Sequence, residues 1–313
     1  MKQQSVFRIC CLGQEGYIGG MTEQYEICLP DRAILRVGGA DAVDFLQGLV
    51  SVNMEKIRDK KAVYGAFLTP QGKYLHDFFA VAMQESVYMD CEATRIEDFQ
   101  KRLKLYKLRS KIDLEIMQDV RAYALIGQDA LETLGLPGTL GSTKNMAAGI
   151  VYTDPRLTAV GARAIMSADQ VSAFSFLGFT AGEVSNYDRL RLSLGLPNGS
   201  QDMEVEKATL LESGFEELNG VDFDKGCYLG QELTARTKYR GLVKKRLMPV
   251  RIEGDTPAPG TEIMQNGKNA GELRSTAGDI GMALIRLEAL ESDSALTAGQ
   301  AKLSPQTPEW ADF

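Results

Sequence analysis

Histidine and tryptophan are nearly absent from this chain of 313 residues: each occurs once, as His76 and Trp310. A single imidazole leaves a zinc or haem site without its usual ligands. The 5 cysteines, at positions 10, 11, 28, 91 and 227, form no Cys-x-x-Cys pair and no four-cysteine set. A resident zinc or iron–sulfur centre therefore has no ligand spacing to stand on, and no metal site is expected. Their odd number and scatter point to free thiols in a reducing compartment, which we read as the cytoplasm. No apolar run is long enough to span a bilayer, and no internal repeat or low-complexity tract is present. Positive charge is in deficit, with 35 Lys and Arg against 42 Asp and Glu and a net charge of −7. That balance argues against a general nucleic-acid binder. The strongest basic run comprises Lys101, Arg102, Lys104, Lys107, Arg109 and Lys111. It shares its stretch with apolar residues at helical spacing (Ile96, Phe99, Leu103, Tyr106) and reads as a solvated helix face. Neither direct nucleic-acid contact nor a membrane is expected, and a monomer is.

What is present organises into lobes, because the length suffices for a large core. Residues 1–20 form a Gly-containing lead-in with neither the apolar core of a signal peptide nor the Arg-rich character of a transit peptide, which makes Met21 a candidate true start. Ala33–Val37 reads as a strand closed by Gly38-Gly39, and Asp41 is placed to cap a helix striped by Val43, Leu46, Leu49 and Val50. Strands at Tyr64–Leu68 and Tyr74–Val81 flank the turn Thr69-Pro70-Gln71-Gly72. After the basic helix come strands at Lys111–Met117 and Arg121–Ile126, a short helix at Gln128–Leu134, and a turn at Asp154-Pro155-Arg156-Leu157. Helices are expected over Asp169–Leu177 and Glu183–Leu194, the second stopped by Gly195-Leu196-Pro197. A long irregular stretch follows, Asn198 to Asn219. Past Gly241, strands at Val243–Ile252, Asn269–Ser275 and Ile280–Leu287 with turns at Gly254–Gly260 and Asn266-Gly267 mark a small antiparallel β domain. The reading is an α+β chain divided into 21–240 and 241–313.

One stretch combines features that packing does not ask for: Lys225-Gly226-Cys227-Tyr228-Leu229-Gly230-Gln231-Glu232. Two glycines bracket a Cys-Tyr pair, and the basic, helix-compatible run to Gly241 follows at once. A loop that delivers Cys227 to a helix start, with Lys225 and Arg236 nearby, would favour thiolate over thiol. A buried structural cysteine remains the alternative.

The stretch resembles the signature of the YgfZ family, folate-binding relatives of the glycine-cleavage T-protein (aminomethyltransferase) linked to iron–sulfur cluster assembly or repair and to tRNA modification. Asp44-Phe-Leu-Gln-Gly-Leu-Val50, the Leu-Thr-Pro-Gln-Gly-Lys run at 68–73 and Asp154–Leu157 are similar to family segments too. The resemblance, over roughly residues 29 to 290, implies a T-protein-like three-lobed arrangement around a central folate cavity, with a C-terminal antiparallel β-barrel. It implies tetrahydrofolate as the cofactor, with Arg32 and Tyr187 at two positions matched to aromatic folate contacts. Asp77, Gln231, Glu232 and Tyr228 complete the expected binding set. Where T-protein enzymes carry Gly-Gly-x-x-Asp-Asp, this chain reads Gly72-Lys73-Tyr74-Leu75-His76-Asp77. A histidine in place of a carboxylate cannot supply the same fixed negative charge. The expected function is a tetrahydrofolate-binding accessory factor for iron–sulfur client enzymes or assembly proteins, with Cys227 as the working thiol and Lys225 and Arg236 beside it. A folate-dependent aminomethyltransferase or demethylase, resting on Asp77, is the alternative, and a purely structural interaction protein is a third.

Overall fold

The computed structural model describes residues 23–170, 172–241 and 243–312; Cys10, Cys11 and Met21 lie outside the described residues. Strands β1 (Tyr25–Cys28) and β2 (Arg32–Gly38) precede a short helix, α1 (Ala42–Gln47). Asp41 does not cap α1 with its side chain as expected; Oδ2 accepts instead from the Lys111 backbone N–H at 2.7 Å, tying the strand end to a distant loop. Strands β3 (Val63–Leu68) and β4 (Tyr74–Met83) form the hairpin, and β5 (Ser86–Glu92) continues it before α2 (Ile96–Tyr106) and β6 (Asp113–Met117). Together β3-β4-β5-β2-β6 make an antiparallel sheet. Helix α2 closes one face of that sheet, with Phe99 and Leu103 packed among Phe67, Phe78 and Leu75.

A second sheet grows from β7 (Val120–Ile126), followed by α3 (Ala130–Leu134), β8 (Thr143–Met146), β9 (Gly149–Thr153), β10 (Ala162–Ser167) and β11 (Thr180–Ala181). Its order is β11-β1-β7-β10-β9-β8, with β1 and β11 parallel and the rest antiparallel. The helix expected at Asp169–Leu177 is absent; only a single 3-10 turn forms, at Ser175–Leu177. Ser172 sits at φ 55, outside the helical region, and the buried N–H of Phe174 is claimed by the Glu26 carboxylate at 2.7 Å.

The two sheets face each other. Tyr64, Ala66 and Phe79 from the first meet Ala124, Tyr152 and Ile165 from the second in one apolar layer. Strand periodicity of two makes this possible: Val63 and Phe67 point to α2, while Tyr64 and Ala66 point to the second sheet. Helix α4 (Val184–Ser193) lays Tyr187 and Leu190 on the same layer and stops before Gly195, at φ 72. The stretch after it is not wholly irregular, since it contains a single turn of helix, α5 (Gly199–Asp202). Helix α6 (Gln231–Tyr239) then leads to a closed barrel of β12 (Lys245–Glu253), β13 (Glu262–Gln265), β14 (Lys268–Ala277), β15 (Ile280–Arg286), β16 (Leu296–Ala298) and β17 (Ala301–Pro305). Alternate residues of β12, Met248, Val250 and Ile252, fill the barrel interior, while Leu247 packs on the central layer. Trp310 docks the chain end on α4: Nε1 donates to Leu194 O at 2.6 Å.

Candidate functional site

The Cys227 loop is a strap pinned at both flanks. Lys225 Nζ donates to the carbonyls of Gln47 and Val50, at 2.6 and 2.5 Å, where the end of α1 leaves acceptors unpaired. Gln47 Nε2 returns a bond to Lys225 O at 3.3 Å, and Leu229 N donates to Gly48 O at 3.3 Å. Two segments read separately in the sequence, Phe45–Val50 and Lys225–Glu232, are thus one unit. Burial lowers the Lys225 pKa to about 8, against the weaker pull of Asp222. Its ammonium, also 5.1 Å from the Tyr228 ring centre, spends its donors on holding the loop.

The far flank is fixed by Gln231, whose Oε1 accepts from Tyr228 N at 3.1 Å. Tyr228 is buried in the central layer. Gly230, at φ 80, is the N-cap of α6, and an added Cβ there would lie 2.5 Å from Thr69 O and 3.0 Å from Gly72 Cα. The hairpin turn between β3 and β4 and the loop are therefore in direct contact. Cys227 lies between these anchors and is exposed, and its sulfur makes no hydrogen bond among the described residues. Arg236 and Glu232 are exposed on α6. The arrangement presents a lone thiol on a fixed backbone.

Arg32, Asp77 and Tyr187 do come together, but in a separate cleft between the two sheets, lined also by Phe79, Arg156 and Arg163. Tyr228, Gln231 and Glu232 do not line it. Asp90 of β5 is the hub: Arg32 Nε reaches Oδ1 at 2.6 Å and Arg163 Nη2, from the second sheet, reaches Oδ2 at 2.6 Å. Burial opposes the ionisation of Asp90, but the two guanidiniums overcome it and hold the carboxyl below its ordinary pKa. Arg156 is paired with Asp154 at 2.9 Å, and Arg156 and Arg163 both donate to Tyr187 Oη, at 3.2 and 3.0 Å. Asp77 is buried and accepts from Tyr74 Oη at 3.1 Å and Tyr64 Oη at 3.4 Å. Burial pushes its pKa up.

Folate does not fit this arrangement. A pterin needs an open aromatic face and its glutamate tail needs free cations. Here Arg163, Arg156 and Arg32 stand 4.0, 4.7 and 5.6 Å from the Phe79 ring centre, and Arg156 lies 5.4 Å from that of Tyr64. Each guanidinium is already held in a buried ion pair, Arg32 and Arg163 sharing Asp90 and Arg156 taking Asp154, which leaves the three cations one charge in excess of these two carboxylates. The free cavity is only about 10 Å³, far below the roughly 300–1,000 Å³ usual for such ligands. Asp31 Oδ1 and Arg163 Nε are the orphaned polar atoms of the lining, too few to serve both ends of the molecule.

His76 stands apart from the cleft. Its ring stacks on Phe99 of α2 at 4.7 Å, and Nε2 is 2.9 Å from Asp98 Oδ2, on the face of the first sheet opposite Asp77. Replacement of a carboxylate by His76 thus changes the helix side of the sheet, not the cleft. The sequence reading missed Asp90, Arg163, Asp154 and Arg156 as cleft residues. Arg163 had one visible signal: a lone charge among Ala162, Ala164 and Ile165 in an otherwise apolar strand.

Residues 244–313 match the family model described as the CAF17 C-terminal beta-barrel domain. The chain is similar to the "iron-sulfur cluster assembly factor IBA57, mitochondrial" of Mus musculus, 32% identical over 308 residues, covering 90% of this chain and 84% of that protein. The Homo sapiens protein of the same name is 32% identical over 305 residues, with the same coverage. A homologue from Neurospora crassa is 32% identical over 277 residues, covering 85% of this chain and 61% of that one. Among solved structures, glycine cleavage system aminomethyltransferase T from Bartonella henselae superposes with a TM-score of 0.76 at 14% identity, covering 95% of this chain and 89% of that one. That likeness establishes the T-protein-like fold. The resemblance to YgfZ holds at superfamily level, through IBA57, its eukaryotic relative. The cytoplasmic expectation is overturned, because these relatives are mitochondrial. Free thiols report a reducing environment and do not distinguish one reducing compartment from another.

Proposed function

The chain belongs to the IBA57 family of iron–sulfur cluster assembly factors, and from that premise we propose that it works in cluster assembly by lending the Cys227 thiol to a cluster carried by a partner protein. The observation that carries this reading is an exposed, unbonded thiol on a loop pinned at both flanks. Iron–sulfur clusters are held chiefly by thiolates, four to a cluster as a rule. No group of three or more His, Cys, Asp or Glu residues suited to a metal exists among the described residues. One thiol cannot hold a cluster alone, so this chain contributes one ligand and the partner the remainder. The partner is then an assembly or client protein with thiolates of its own, tRNA-modifying enzymes falling within that class. Pinning the loop before the encounter reduces the ordering cost of binding. The thiol must lose its proton on ligation, so engagement strengthens as pH rises.

Tetrahydrofolate has no part in this reading, because the cleft is occupied by the chain's own ion pairs. The one-carbon transferase alternative loses support as well, because Asp77 is buried and enclosed by the hydroxyls of Tyr74 and Tyr64.

The test is complementation of a strain lacking its own family member, with wild type and Cys227→Ser compared at matched protein levels. The readout is the activity of an iron–sulfur enzyme, such as a radical-type tRNA methylthiolase. Wild type should restore it and the serine variant should lower the restored activity by at least about tenfold, since even residues that only orient a metal ligand commonly matter that much. Equal restoration by both would reduce Cys227 to a surface residue.

A further inference from the structure

No helix among the described residues is long and apolar enough to cross a membrane, yet the turn between α2 and β6 has the composition of a surface that lies on one. From Phe99 to Ile112 the chain has no carboxylate and carries Lys101, Arg102, Lys104, Lys107, Arg109 and Lys111, in a protein whose net charge is −7. Arg102 is paired with Asp98, and the other five are exposed. Most of the bordering acids are engaged, Asp98 by Arg102 and His76, Asp41 by the Lys111 N–H, and Asp113 and Glu115 by Arg36, while Glu97 is exposed.

Among these cations stand Leu105, 71% exposed, and Leu108, 90% exposed. Leu108 is the more telling. It occupies the second position of a turn closed by Ser110 N to Lys107 O at 2.8 Å, with φ 41. Glycine serves such a position without strain, and a non-glycine residue there costs free energy. Here the strained residue is a large apolar one that gains no packing in return. Tyr106, meanwhile, sets its ring edge-on against Phe67 at 6.1 Å and anchors the turn to the core.

We propose that this knuckle docks the protein on an anionic lipid bilayer, Leu105 and Leu108 entering the headgroup region while the surrounding lysines and Arg109 pair with lipid phosphates. Exposed apolar side chains ringed by Lys and Arg are the composition that binds such interfaces. RNA would ask for aromatic stacking faces, which the exposed part of the knuckle does not offer. A protein partner's hot spot would favour Trp, Tyr or Arg at its centre over leucine. The knuckle shares no residue with the Cys227 loop, so different variants test the two proposals and they fail independently.

The full chain is mixed with phosphatidylcholine vesicles, with and without phosphatidylglycerol, and the bound fraction is read by flotation at low and high salt. Binding is expected only with the anionic lipid and falls with salt. Lys107→Glu with Arg109→Glu should lower partitioning by at least about tenfold, each basic residue near such a surface contributing several-fold. Leu108→Gly removes the apolar tip and relieves the backbone, so it should bind several-fold more weakly with a Tm no lower than wild type, while Cys227→Ser binds as wild type does. Absence of binding to anionic vesicles would overturn the proposal. So would wild-type binding by Leu108→Gly, which would mean that nothing inserts, and so would preferential capture of an RNA hairpin or an acidic peptide over the vesicles.

Discussion

The imidazole of His76 is held neutral where a free histidine would be half charged, because burial and the nearby Arg95 lower its pKa to about 4 against the pull of Asp98. A salt-bridge distance to Asp98 does not make this an ion pair; with a carboxylate as acceptor, Nε2 must carry the hydrogen and donate. The unfolded chain protonates His76 near its ordinary value of 6.5, whereas the folded protein resists until about pH 4. Between those limits the unfolded state binds more protons, so stability rises with pH across the window and is lost as pH falls through it. At about 1.4 kcal/mol per pH unit the effect is on the order of 3 kcal/mol. Urea midpoints measured from pH 7 down to pH 4 should fall more steeply for wild type than for His76→Phe, which lacks the titrating group. Parallel curves would place the pH dependence elsewhere.

At the scale of elements, glycines in one loop have different work. Gly226 and Gly230 both sit at positive φ, 91 and 80, but an added Cβ meets nothing within 4 Å at Gly226, while at Gly230 it meets Thr69 O at 2.5 Å. Gly226→Ala should therefore cost only the left-handed penalty, about 1–2 kcal/mol. Gly230→Ala adds a clash with a backbone atom of the hairpin turn and should exceed it by at least about 1–3 kcal/mol, the usual overpacking cost. Thermal melts of the two variants rank them, and equal losses would mean that the hairpin and loop are not in contact. The loop was legible in sequence because its residues are contiguous and its glycines had no other purpose. The cleft was not. Arg32, Asp90 and Arg163 come from β2, β5 and β10, and a lone charge in a strand reads as solvent-facing until register shows which face it occupies. Hairpin β3–β4, α2 and α4 were legible from apolar period and punctuation. Strands β5 and β10 were not, since Asp90 and Arg163 break their pattern with charges that turn out to be buried.

At the scale of the whole molecule, the Asp90 hub joins sheets that are otherwise held by an apolar layer, linking Arg32 of the first to Arg163 of the second. Such pairs need not add stability over apolar residues of equal volume, but breaking one is expensive because the partners stay buried and charged. Asp90→Asn should lower the stability of the full chain by about 3–5 kcal/mol, whereas Arg36→Gln, whose pairs with Asp113 and Glu115 are solvent-exposed, should cost less than about 1 kcal/mol. The triple change Arg32→Met, Asp90→Leu and Arg163→Met removes charges and partners together and should recover most of the Asp90→Asn loss. Denaturant midpoints for the set decide between two accounts of the cluster. Recovery in the triple variant means that the ion pairs serve to set how the two sheets meet and to fill the space between them. Continued loss in the triple variant would mean that the network contributes net stability.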